Sequence, residues 1–160
     1  MYAIDSNMKS SALLSSSLFK QTNFEDLSKY FLYSSQAFVT SQVNVVVALE
    51  PLLRVSHGCK VVFHSNPIGS LTEASTATAY AFRVAFAGTN MLIRILALEF
   101  PTLIVVGAHA GIYFPMFMDQ VIGGMSTSEE IATRLTQLIG RLELTHSGRV
   151  WRHTLEQVPF

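Results

Sequence analysis

Charge is what this sequence has least of. Eleven Lys and Arg balance eleven Asp and Glu in 160 residues, 14% of the chain against 49% hydrophobic. Average soluble domains carry roughly 25% charged residues. So little polar surface predicts either a buried oligomer interface or a membrane. The membrane lacks its own requirement, about 20 uninterrupted apolar residues. The best window, Thr102 to Met118, contains His109 and two glycines and ends at Asp119; Val84 to Phe100 carries Arg94 in its middle. No span is expected. An N-terminus with Asp5, Lys9 and no apolar run is not read as a signal peptide. The absence of basic clusters removes the electrostatic footprint of a nucleic-acid binder. One cysteine, Cys59, excludes an intrachain disulfide and points to a reducing, cytoplasmic setting. His57, His146 and His153 are scattered with no carboxylate spacing, so no metal is expected.

What is present reads as one domain over 1–160, its first thirty residues Ser-rich and weakly patterned. Met1 to Asp5 could be a short strand. A helix is expected from about Asn23, with Glu25 and Asp26 in its first turn. A second is expected over Ser34–Leu53, with a distorted final turn at Pro51. Cys59–His64 is β-branched and bounded by Gly58 and Pro67, a strand. The Ala-rich run Ala77–Glu99 reads as a helix closed by Pro101. Thr102–Ala108 is a fully apolar strand of the kind buried on both faces of a parallel sheet. Ser126-Thr127-Ser128-Glu129 has the form of a capping box, opening a helix with Ile131, Leu135, Leu138, Ile139 and Leu142 on one face. Gly148–Thr154 is a last strand. Alternating helices and strands predict an α/β fold: a three-layer α/β/α, truncated Rossmann-like domain with a short parallel sheet.

Four segments carry a family resemblance. They are Pro51-Leu52-Leu53 with Lys60-Val61-Val62-Phe63-His64-Ser65; Asn90 through Glu99; Val105-Val106-Gly107-Ala108-His109-Ala110-Gly111; and Ser147-Gly148-Arg149-Val150-Trp151 running to Val158-Pro159-Phe160. Over roughly Phe31–Phe160 they resemble the second half of a short-chain dehydrogenase/reductase, where the family has its fourth helix and fifth strand, fifth helix, sixth strand and terminal strand. The resemblance implies that the active tyrosine falls on Phe82 and its lysine partner, one turn on, on Phe86. The active serine falls on Asn66, with Ser65 one residue early, and the asparagine of the preceding helix on Phe38 or Ser34. The family's Pro-Gly after the sixth strand reads Ala110-Gly111. The glycine-rich turn that binds the dinucleotide is missing, since the chain begins about where the family's fourth strand would be. The resemblance therefore implies a half-domain without hydride-transfer chemistry, and no cofactor is expected.

In open α/β sheets ligands sit beyond the carboxyl ends of the strands. His64 and His109 fall there and are the candidate acid and base, although each could be no more than a hydrogen-bonded turn residue. Ser65, Asn66, Tyr80, Phe82, Phe86, Tyr113, Phe114 and Phe117 are candidate substrate contacts, the last three within an apolar segment, 112–118, that resembles a lid. The expected function is a cofactor-independent cyclase, isomerase or lyase acting on a hydrophobic small molecule. One alternative is a non-catalytic binding or scaffold protein. A weaker one is an NAD(P)-dependent oxidoreductase whose nucleotide half comes from a partner chain. The family resemblance also implies a homodimer through 34–53 and 77–99.

Overall fold

The computed structural model describes residues 24–109, 111 and 128–160. The expected strand at Met1–Asp5, the lid residues Tyr113, Phe114 and Phe117, and the first half of the capping box lie outside the described residues.

The chain enters on α1 (Phe24–Ser35), passes through a five-residue π-helical turn, Gln36–Thr40, and continues as α2 (Ser41–Val55). The two helices expected here are thus one helical run with a widened turn in its middle. Pro51 does not end it: α2 runs on to Val55 with the proline inside. The carbonyl that Pro51 leaves without an N–H belongs to Val47, which is 66% exposed and can turn to water.

Next come β1 (Lys60–His64), a 3-10 turn at Pro67–Gly69, and α3 (Tyr80–Glu99). The helix expected from Ala77 starts three residues later because Ala79 sits in the left-handed region, φ 53°. Then follow β2 (Ile104–His109), α4 (Ser128–Arg141), β3 (Arg149–Arg152) and β4 (Gln157–Val158). The sheet order is β1-β2-β3-β4, with β1–β2 and β2–β3 parallel. β4 returns antiparallel on β3 through a turn at Leu155 (φ 65°), so the strand expected over Gly148–Thr154 is a shorter strand and half a hairpin. The fold is α/β with a short, mostly parallel sheet, as the pattern predicts.

The core has two layers. On one face of the sheet Phe63, Val105, Val150 and Val158 meet Ile93, Leu96 and Phe100, with Val46 and Leu53 of α2 packed against them. On the other face Ile104, Val106, Ala108 and Trp151 meet Leu138 of α4 and Leu142 just beyond its end. β2 lies between both layers, which is why its run can be uniformly apolar. Lys60 at the start of β1 donates to the Ile139 and Gly140 carbonyls at 2.6 and 3.4 Å, placing an ammonium at the negative end of α4. The Leu27–Val55 run and α3 are each long and apolar enough to cross a membrane by length and composition. For α3 that apolarity is accounted for by the sheet, against which Ile93 is fully buried.

Two glycines let α3 lie this close. A Cβ on Gly69 would stand 2.5 Å from the Phe86 carbonyl carbon and 2.7 Å from the Ala87 nitrogen, both backbone atoms. A Cβ on Gly107 would stand 2.8 Å from Ile93 Cδ1 and from Val150 Cγ2. Gly69→Ala should therefore destabilise the protein by about 1–3 kcal/mol, because helix backbone cannot yield as a side-chain tip can. Urea denaturation of the two proteins checks this, and an unchanged midpoint would refute the close approach.

Candidate functional site

The parallel strands end together at one edge of the sheet, His64 standing opposite Ala108 in register and His109 one residue beyond. Phe82 and Phe86 arrive at this edge on successive turns of α3. The π-helical turn supplies Phe38, whose ring centroid lies 4.8 Å from that of Phe86 and 5.4 Å from that of Phe82. The His64 ring meets Phe86 edge-on at 5.7 Å. Phe86 is buried, at 4% exposure. A π turn leaves its carbonyls out of the ordinary i→i−4 ladder, and such turns are frequent at functional sites. Here the Phe38 carbonyl is taken up from outside the turn: the Thr89 hydroxyl of α3 lies 3.0 Å away, and the Gln42 amide also donates to it.

The polar candidates do different work. Ser65 is fully buried, and its hydroxyl donates to Asn90 Oδ1 at 2.6 Å. Asn66 accepts from the Ile68 N–H at 3.0 Å and so caps the 3-10 turn at Pro67–Gly69. Both are engaged in holding the β1–α3 connection. Tyr80 opens α3 and is half-buried. Of the two positions the resemblance allows for the helix asparagine, Phe38 touches the Phe82–Phe86 pair, whereas Ser34 is fully buried with its hydroxyl unpartnered. The π turn that positions Phe38 has no sequence signature: Gln36–Thr40 reads as ordinary helix.

His109 accepts the His153 N–H at its own carbonyl, 2.9 Å. Its imidazole is pushed down to about 4, first by burial, then by the Arg152 cation and by repulsion from His64 and His153 in their protonated forms, with Glu73 pulling weakly the other way. Arg152 itself pairs with Glu73 at 2.5 Å and Glu156 at 3.4 Å. Burial lowers His64 as well. Both imidazoles are thus held neutral near pH 7, as acceptors or bases rather than as acids.

No protein-family profile matches the chain, and no curated protein matches it. Solved structures do. The carbonyl reductase Sniffer of D. melanogaster superposes with a TM-score of 0.71 at 16% identity, over 83% of this chain and 58% of the other. An NADPH-bound carbonyl reductase from chicken fatty liver gives 0.65 at 14% identity, covering 92% and 62%. A carbonyl reductase of Pseudomonas aeruginosa in complex with NADP gives 0.62 at 22% identity, covering 86% and 56%. The chain thus spans a little over half the length of the structures it matches. Its fold is that of the short-chain dehydrogenases/reductases.

This corrects the expectation of a cofactor-independent cyclase, isomerase or lyase. The structures sharing the fold are carbonyl reductases, two of the three holding a nicotinamide cofactor. The strand edge agrees with the correction: Ser65 and Asn66 serve the connection, and Phe38, Phe82 and Phe86 pack on one another. The residues present do not fit the cofactor either. Where the resemblance puts a cation gripping the ribose, the buried ring of Phe86 offers neither charge nor hydrogen bond.

The shift of His109 fixes a pH dependence. Its folded value lies below the ordinary 6.5, so the unfolded chain holds the proton more tightly than the native one. Its contribution to stability is complete above pH 6.5 and is lost as pH falls toward 4. His109→Gln should flatten the stability profile in that window relative to the parent. A difference between the two proteins that stays constant from pH 7 to about 4 would show that His109 does not titrate with folding.

Proposed function

We propose that this chain is a module on the carbonyl-reductase fold that has lost hydride transfer and acts by associating with other protein. The convergence of Phe38, Phe82 and Phe86 carries the reading. Carbonyl reduction needs a group at this edge that gives up a proton and a cation that lowers its pKa; three benzyl side chains do neither. Association is supported by the outer sides of two helices. Val45, Val47 and Leu52 on α2 and Met91, Ile95 and Leu98 on α3 are each more than half exposed. We place a homodimer there, through 34–53 and 77–99, in a reducing cytoplasmic setting that suits the free, exposed Cys59.

A second reading, an NAD(P)-dependent carbonyl reductase, is favoured by the cofactor-bound reductases among the matched structures. It requires a proton donor other than position 82 and a dinucleotide site outside the residues described here.

Titration calorimetry of the purified protein with NADPH and NADH separates the two. The first reading expects no heat of binding at millimolar cofactor. Micromolar binding would overturn it and restore the reductase. For the association, sedimentation of the parent should give a dimer, and Ile95→Glu, which sets like charges face to face across such an interface, should give a folded monomer. A parent that sediments as a monomer at micromolar concentration would remove the homodimer from the proposal.

A further inference from the structure

A cavity of about 130 Å³ opens between the loop after β1, α3 and Phe160. That is room for about four water-sized groups. Leu71, Met91 and Phe160 form its walls, 80%, 60% and 43% exposed, and Ala87 and the backbone of Gly69 form its floor. Two polar side chains line this apolar hollow. Arg94, exposed on the next turn of α3, makes no hydrogen bond or ion pair among the described residues. Its guanidinium rests against Gly148, where a Cβ would stand 3.0 Å from Nη1. Asn90, 4% exposed, uses Oδ1 to accept from Ser65 and leaves Nδ2 without a partner.

An unpaired guanidinium beside a greasy hollow asks for a ligand with acceptors at one end and hydrocarbon at the other. We infer that this cavity binds a small aliphatic carboxylate, its head on Arg94 and its tail against Leu71, Met91 and Phe160. Arg94 is the anchor, through charge-assisted hydrogen bonds. The Asn90 N–H, closed off from water, lies behind the lining, so Arg94 alone receives the head.

The test is a titration of the isotope-labelled protein with butyrate, followed by amide chemical shifts, with 1-butanol and butylammonium as isosteric controls. Saturable shifts at Gly69, Ala87, Met91 and Arg94 with butyrate alone are expected. Arg94→Gln should weaken the affinity about tenfold or more, and Met91→Trp, which fills the hollow from an exposed position, should abolish saturation. Butanol or butylammonium binding as well as butyrate, or an Arg94→Gln protein that binds like the parent, would overturn the inference. None of these outcomes depends on whether the strand edge transfers hydride. Because Met91 also lies on the helix face proposed for the dimer, the titration is made on the Ile95→Glu protein as well as on the parent, and an absence of saturable shifts at these residues in both overturns the inference.

Discussion

The close seating of α3 on the sheet is the constraint from which most of this structure follows. It rests on two missing β-carbons, at Gly69 and Gly107, and on one buried hydrogen bond between Ser65 and Asn90. The glycines remove the atoms that would hold the helix off. The hydrogen bond fixes the helix's position along the sheet by tying the end of β1 to the middle of α3. Once α3 is fixed, Phe82 and Phe86 are delivered to the strand edge beside His64. Thr89, on the same helix, lies within reach of the carbonyl at the π turn and so holds Phe38 against both rings.

This arrangement explains why the strand edge is internally consistent although it departs from a reductase. Each aromatic pair contributes about 0.5–1.5 kcal/mol beyond the area it buries. Phe38 is the member that meets both of the others. A lysine put back at position 86 alone would be buried among rings without a carboxylate or hydroxyl partner, which costs far more than the pair it replaces.

How much of this the sequence discloses depends on the range of the interaction. The apolar strand β2, and Leu138 of α4 with Leu142 just after it, are local patterns and read directly; positions 82 and 86 speak only through the family resemblance. What escapes is long-range. Nothing local distinguishes Phe38 from Ser34, because the π turn that aims Phe38 inward is stabilised from α3, 51 residues away. Pro51 reads as a breaker and is tolerated because the carbonyl it orphans belongs to exposed Val47. The hairpin to β4 depends on a positive φ at Leu155, a residue with no turn propensity of its own. Asn66 and Ser65 look like site residues by type and position; only their partners, Ile68 and Asn90, reveal that they hold the backbone.

The shortage of charge acquires a meaning from where the charges went. Lys60 terminates α4, Arg152 ties the last hairpin to Glu73, and Arg83 holds the loop before α3 through the Thr78 and Ile68 carbonyls at 2.8 and 3.2 Å. These cations stabilise ends and loops, the places where backbone groups would otherwise be left unsatisfied. Few remain to wet the outer sides of α2 and α3, where apolar side chains stand exposed. An apolar groove of about 610 Å³ likewise lies open between α2 and β1. The bare apolar side chains of α2 and α3 follow from this distribution of charges, and they are the surface on which the proposed association rests.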